Sequence, residues 1–413
     1  MNLEFFIAKR LITGREHKIS ISSTIIKIAI AAIAISIVMM LVALASSSGL
    51  QLKIREKVSA FHGHIQIFSY DNNNSEVSVN PVSLNQEFYP KFTAIDGIAH
   101  VQGVAVKAGI IRTAATFEGV LAKGVGKDYN WTTFRDFLVA GRLPDFKGGL
   151  NEEALLSKTL ADKLQLKVGD HFFSVFLKDG DVSKTPNNRK FTVVGMYDSG
   201  FEELDASYIF VDLRHIQRMN KWKPDEVGNF EVFLDDFNAI EAKTAEIYGK
   251  TISDLDTQNL KQRYFNIFEW LGLFDFNVAL IIGIMIIVGG INMITALLVL
   301  ILERTKMIGT LKALGASDWT IRKVFLYNAA YLIGIGLFWG NVIGLGLLWL
   351  QDRFQFLKFP NPEQYYVDYV PVHIDVTTIL LLNISVLILC LVMLLVPSYA
   401  VTKISPVKAI KFD

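Results

Sequence analysis

Cysteine is almost missing from this chain of 413 residues: the only one, Cys390, lies in an apolar run. No disulfide can form within the chain, and no thiolate metal site can be assembled. The absence of cysteine between Gln51 and Trp270 suits a compartment in which free thiols are a liability. Net charge is nearly absent too, with 41 basic against 40 acidic side chains. That leaves no global basic field for nucleic acid. A nucleotide-binding loop is also lacking. Gly249-Lys250-Thr251 has Thr244 where the loop needs its first glycine, and Gly124-Val125-Gly126-Lys127 continues into Asp128 instead of a hydroxyl. Ser157 and Ser199 lack the surroundings of a nucleophile elbow. His62 and His64 flank Gly63 without a third ligand, and His171, His215, Glu202, Glu203 and Asp205 are scattered. The sequence therefore offers no catalytic residue, metal site or cofactor of its own. If ATP and magnesium drive this system, another chain supplies them.

What is abundant is apolar length. Hydrophobic residues make up 51% of the chain and are clumped, unlike those of a soluble domain of this size. A bilayer core needs about 20 apolar residues in a helix. Residues 28–50, 278–302, 324–350 and 376–396 meet that need, the third broken only by Asn328 and Asn341. Ala43-Leu44-Ala45 resembles a signal-peptidase site. A leader ending there would exceed the usual range of about 15–30 residues, so a retained anchor is expected. Lysine and arginine in the short flanks set the orientation. Lys9, Arg10, Arg15, Lys18 and Lys27 precede the first span; Arg304, Lys306, Lys312, Arg322 and Lys323 separate the second from the third; Lys403, Lys408 and Lys411 follow the fourth. Between the third and fourth, Arg353 and Lys358 are outweighed by Asp352, Glu363, Asp368 and Asp375. Both termini and the loop 303–323 are expected in the cytoplasm, and the large segment outside it.

The expected fold is thus a membrane protein of four transmembrane α-helices plus a large α+β extracytoplasmic domain inserted between helices 1 and 2. It divides into residues 1–50, 51–270 and 271–413. Segment 51–270 is too long for a loop. Strands are predicted at 64–68, 189–197, 207–211 and 229–234, from β-rich or alternating runs. Helices are predicted at 153–166, from the spacing of Leu155, Leu156, Leu160 and Leu164, and at 238–248. Residues 72–75 and 186–188 read as turns, and Val168-Gly169-Asp170 as the turn that ends the first of these helices.

The loop after the second span runs Glu303-Arg304-Thr305-Lys306-Met307-Ile308-Gly309-Thr310-Leu311-Lys312-Ala313-Leu314-Gly315. Met307, Ile308, Leu311 and Leu314 form an apolar stripe on a short helix ended by Gly315. By pattern alone the helix lies on the bilayer surface or docks into a partner's groove. This loop resembles the coupling segment of the FtsX/MacB-like permeases of ABC transporters. The tail Ile404-Ser405-Pro406-Val407-Lys408-Ala409-Ile410-Lys411 is similar to that family's ending, and Glu153-Ala154-Leu155-Leu156-Ser157 with Leu164-Gln165-Leu166-Lys167-Val168-Gly169-Asp170 to its outer domain. Residues 191–196, Gly200-Phe201-Glu202-Glu203-Leu204-Asp205 and the tyrosine-rich loop 360–371 resemble the lipoprotein-releasing (LolC/LolE-type) branch in particular.

The resemblance implies a multi-pass permease of the bacterial inner membrane with its large domain in the periplasm. It implies a second permease copy or a paralogue, and cytoplasmic ABC ATPase subunits docked at Glu303, Arg304, Met307, Ile308, Gly309, Leu311, Leu314 and Gly315. It implies a lipoprotein substrate drawn from membrane lipid and passed to a periplasmic carrier. Met39, Met40 and Met285 are flexible apolar residues suited to acyl chains, as a gate or as ordinary packing; Gly283, Gly289 and Gly290 permit close helix contact or merely flex. Two other functions fit the same pattern. One is a mechanical permease driving efflux or a cell-wall hydrolase, and the other is a sensor or scaffold without ATP-driven work.

Overall fold

The computed structural model describes Glu4, Phe6, Ile7 and residues 21–72, 75–113, 116–176 and 187–404. The basic residues at 9–18, the turn residues 73 and 74, Pro186 and the tail 405–411 lie outside the described residues. The chain forms two compact units. One comprises Met1–Gln51, Trp270–Lys358 and Tyr369–Asp413, the other Leu52–Glu269 and Phe359–Asp368.

The first helix, α1 (Ile21–His62), has 42 residues, which at 1.5 Å per residue is about 63 Å and roughly twice a bilayer core. Its surplus beyond the apolar span carries Lys53, Arg55, Glu56 and Lys57. The last turn is buried in the inserted domain, where Phe61 meets Phe134 at 5.2 Å between ring centroids.

The inserted domain is built on one sheet. Its strands among the described residues are β1 (Ile65–Ser69), β2 (Ile98–Arg112), β3 (Phe117–Val125), β4 (Leu138–Gly141), β5 (Glu153–Ser157), β6 (His171–Phe176), β7 (Asn187–Tyr197), β8 (Tyr208–Asp212), β9 (Asn229–Leu234) and β10 (Leu255–Asn259). The order is β10-β1-β9-β2-β3-β8-β5-β7-β4, with β6 bridging β2 and β7. The β3–β8 and β5–β7 pairs are parallel. Helices α2 (Lys158–Leu164), α3 (Leu213–Asn220) and α4 (Ile240–Lys250) cover the sheet. Every residue of β8 is buried, so both its faces are covered. An aromatic cluster of Phe61, Phe134, Tyr197 and Phe210 forms the centre, the last two 5.7 Å apart.

The predicted strands and the 238–248 helix are present, but the helix expected over 153–166 is not one element. Residues 153–157 are the interior strand β5, with Leu155 and Leu156 fully buried. The helix begins only at Lys158, where the Ser157 hydroxyl accepts the Leu160 N–H at 3.0 Å. Gln165, in the left-handed conformation, ends it.

Among the described residues four helices are long and apolar enough to cross a membrane: α1, α5 (Phe265–Glu303), α7 (Asp318–Phe354) and α8 (Val376–Ser398), which continues as a 3-10 turn to Lys403. Between α5 and α7 lies α6 (Thr305–Ala313). The bundle is closed by small residues. A Cβ on Gly336, Gly340 or Gly344 of α7 would come within 2.7, 2.7 or 2.9 Å of Ile33, Ile37 or Leu41 of α1. Asn341 and Asn383 exchange amide hydrogen bonds of 2.6 and 3.1 Å between α7 and α8. That satisfies two polar groups where hydrocarbon offers no partner.

Candidate functional site

Helix α6 forms because Arg304 breaks the run of α5 and Gly315, at φ +91°, stops the next turn. Its apolar stripe divides. Ile308 has no exposed surface and Gly309 is buried. Met307 and Leu311 are half-buried against the cluster of Ile301, Ile321 and Phe325. Leu314 alone of the stripe points outward, 79% exposed, beside the exposed Ala313 and Gly315; Glu303 is exposed and Arg304 half-buried. Lys312, read from sequence only as a flank charge, fixes the helix. Its Nζ donates to the carbonyls of Val401 at 2.9 Å, Thr402 at 3.3 Å and Ile404 at 3.1 Å, and pairs with Asp318 at 2.8 Å. Cation and C-terminal carbonyls attract, as at any helix end. Helix α6 is therefore packed and tethered to the bundle, and only its outer edge and its C-terminal turn are left exposed.

The three methionines do not come together as one lining. Met40 is fully buried in the bundle core, Met285 is half-buried against it, and Met39 is exposed. Gly290 meets Met393, whose Cε would lie 2.4 Å from an added Cβ, whereas Gly283 faces open space. The more distinctive surface belongs to α5 itself. From Gly272 to Val288 it has no buried residue, and Phe276, Leu280, Ile284 and Ile287 are exposed. One polar tie joins this stretch to α1, where Gln51 Nε2 donates to Asp275 Oδ1 at 2.7 Å. The hydropathy run reveals the span but not that half of it is left uncovered.

In the inserted domain the ends of α1 and the approach to α5 share a polar network that the sequence reading left as scattered surface. His62 Nε2 lies 3.0 Å from the Tyr208 hydroxyl, and Tyr264 Oη lies 3.1 Å from Nδ1. Tyr208 donates to Glu76 at 2.7 Å, and Arg263 pairs with Glu76 at 2.6 Å and donates to Gln66 at 2.9 Å. A neutral His62 protonated at Nε2 satisfies every contact, and burial lowers its pKa. Burial opposes the charge on Glu76, but the neighbouring His62 (Nε2 at 3.7 Å), the Arg263 charge and the Tyr208 hydrogen bond prevail and hold its carboxyl well below the usual range. Deeper in, Lys123 and Glu231 pair at 2.6 Å with side chains 1% exposed. Lys123 also donates to the Phe61 carbonyl, and Gln102 donates to Glu231 at 2.9 Å. A lone lysine within the apolar strand β3 was the available signal. Asp205, at the Gly200–Asp205 motif, accepts from Ser199 Oγ at 2.6 Å and from the amides of Ser199 and Gly200 at 3.0 and 3.1 Å. Burial still pushes it up to about 6. No group of histidine, cysteine and carboxylates able to hold a metal is present among the described residues. The two glycine-lysine motifs are a helix end at Lys250 and the end of strand β3. These networks hold elements of the inserted domain together.

Comparison with known proteins matches residues 28–250 to the MacB-like periplasmic core domain and residues 279–406 to the FtsX-like permease C-terminal domain. The "Lipoprotein-releasing system transmembrane protein LolC" of Neisseria meningitidis is 26% identical over 323 residues, 74% of this chain and 76% of that protein. The LolE protein of Haemophilus influenzae is 22% identical over 99% of both chains. The ABC transporter permease YtrF of Bacillus subtilis is 29% identical over 42% of this chain and 40% of its own. Among solved structures, the extracellular domain of the transporter YknZ covers 48% of this chain at 15% identity with a TM-score of 0.32.

Proposed function

This chain belongs to the family of permeases that join a MacB-like periplasmic core domain to an FtsX-like permease domain, and we propose that it is the membrane subunit of an ATP-driven complex that extracts lipoproteins from the bilayer. The observation that carries the reading is the uncovered apolar face of α5 between Gly272 and Val288, in a chain similar over most of its length to proteins named for lipoprotein release. Moving a lipid chain into water costs about 0.8 kcal/mol per methylene. Three chains of roughly fifteen methylenes would cost on the order of 30 kcal/mol or more, so the lipid must slide along apolar surface. Helices α1 and α5 supply such a surface on the two segments of chain that run directly into the inserted domain. ATP is hydrolysed on a separate cytoplasmic subunit, which docks at the edge of α6; the inserted domain lies in the periplasm and hands the lipoprotein to a carrier there. A second permease copy or a paralogue completes the pathway.

The test is photocrosslinking in living cells from a benzophenone side chain placed at Leu280 or Ile284. A crosslink to acylated lipoprotein is expected, and none to the same protein made without its acylated cysteine. Equal capture of both forms, or of neither while phospholipid is captured, would sink the lipoprotein reading and leave a permease that does mechanical work on other envelope partners.

A further inference from the structure

A groove of about 390 Å³ runs between α7 and α8, at the end of the bundle that carries α6. Its volume falls in the range of roughly 300–1,000 Å³ that ligand sites occupy. Trp319, Tyr327 and Ala330 line it from α7, one helical face at spacings of eight and three, with Lys323 between them; Val392 and Leu395 line it from α8. Its walls are apolar, but its rim is cationic. Arg322 is held by hydrogen bonds from Nε to Ser398 Oγ at 3.1 Å and from Nη2 to the Leu395 carbonyl at 3.0 Å. Lys323 Nζ lies beside it, 3.6 Å from the Glu4 carboxylate. Both cations lie over Trp319, at 5.2 and 5.8 Å from the ring centroid. The apolar span of α7 begins at the very next residue, Val324, and that of α8 ends at Val396. The rim therefore stands at headgroup level, where tryptophan, tyrosine and snorkelling cations collect.

We propose that this groove is a binding site for one anionic glycerophospholipid. An acyl chain occupies the cleft between Ala330 and Val392, and the headgroup phosphate rests against Lys323 and the fixed guanidinium of Arg322. Any lipid-facing cleft takes up hydrocarbon. What distinguishes this one is two cations against the single carboxylate of Glu4 at its mouth, one cation preorganised by two bonds to α8. That surplus of positive charge favours a headgroup of net negative charge over a zwitterionic one, whose own ammonium offsets its phosphate. An occupied groove would pin α7 to α8 close to the tether of Lys312, so lipid composition would bear on the stiffness of the segment that carries α6.

The experiment uses the full-length chain in detergent, supplied with equal amounts of phosphatidylglycerol and phosphatidylcholine of matched acyl chains and examined by native mass spectrometry. Wild type should retain phosphatidylglycerol in several-fold excess. Lys323→Gln should bring the ratio near one, and Ala330→Phe should reduce retention of both lipids by filling the cleft. Independently, the Trp319 emission, taken as wild type minus Trp319→Phe, should be quenched more by phosphatidylglycerol brominated in its chains than by the brominated choline lipid. Equal retention by wild type, a ratio unchanged in Lys323→Gln, undiminished retention in Ala330→Phe, or equal quenching would each overturn the site and leave annular lipid only.

Discussion

Lys123 and Glu231 bring an ion pair into the interior of the inserted domain, where each side chain is 1% exposed. Burial lowers the lysine's pKa and the glutamate's charge opposes that. The pair persists because the Phe61 carbonyl and Gln102 complete its hydrogen bonding. Such a pair contributes little net stability, but losing one member strands the other at a cost of about 3–5 kcal/mol. His64 illustrates a cheaper dependence that a pH titration can read. Its Nδ1 accepts the Leu234 N–H at 2.9 Å, and burial depresses its pKa to about 4. The folded state thus binds fewer protons than the unfolded state between about pH 6.5 and 4, so stability rises with pH across that window. The contribution is complete above 6.5 and is lost as pH falls to 4. At about 1.4 kcal/mol per pKa unit it amounts to a few kcal/mol at most. Hydrogen exchange at the Leu234 amide should accelerate on going from pH 7 to 4.5, after correction for intrinsic exchange, more in wild type than in His64→Gln. Identical pH profiles in the two proteins would remove His64 as the cause. Neither the lysine–glutamate pair nor this histidine bond was legible in the sequence, because each joins residues far apart in the chain whose meeting is set by the sheet.

The bundle shows a different case, an element-level contact whose spacing stands in the sequence although the glycines singled out there were Gly283, Gly289 and Gly290 of α5. Gly336, Gly340 and Gly344 recur every four residues, so they share one face of α7, and α1 lies against that face. The four spans are equally legible, since only length and apolarity are needed. Strands β2 and β3 were not, because covered faces on both sides erase the alternation that marks a strand: β2 has seven consecutive buried residues in its centre. The 153–166 segment misled for a related reason. Leu155 and Leu156 are core residues of a strand that happen to continue the spacing of Leu160 and Leu164 in the following helix. The glycine contact gives a clean comparison. A side chain at Gly340 would meet Ile37 Cβ at 2.7 Å and the Ala34 carbonyl at 2.9 Å, whereas Gly334 faces open space. Gly340→Leu should destabilise the bundle by about 1–3 kcal/mol or more through overpacking. Gly334→Leu should stay within about 0.5 kcal/mol of wild type. Thermal unfolding of both variants in one detergent measures this, and equal midpoints would mean that α1 and α7 are not in close contact.

For the molecule as a machine, the proposed function raises the question of which surface of α6 an ATPase would meet. The sequence stripe Met307, Ile308, Leu311 and Leu314 suggested one continuous apolar face, turned to the bilayer surface or to a partner's groove, because periodicity cannot tell which neighbour an apolar face will choose. In the structure the bundle takes the first three and leaves Leu314. This arrangement suits transmission. A helix packed through Ile308 and tied by Lys312 to the end of α8 moves with α7 and α8, so a push on its outer edge displaces whole helices and not a loose loop. It also changes which substitution is diagnostic. Leu311→Asp would place a charge against the bundle's own core and confound docking with folding. Leu314→Asp touches little of the chain itself. If Leu314 is buried in a groove of the partner, about 1.5–3 kcal/mol of apolar burial is lost, which corresponds to a tenfold or greater loss of affinity. The ATPase should then fail to co-purify with Leu314→Asp at equal permease levels, while thermal unfolding of the permease alone stays as in wild type. Lys312→Met should act the other way, with the ATPase still bound but its hydrolysis no longer responding to lipoprotein, because the tether to Val401, Thr402 and Ile404 is cut. Undiminished recovery of the ATPase with Leu314→Asp would place the contact elsewhere on the loop, and retained lipoprotein stimulation in Lys312→Met would show that force does not pass through the tether.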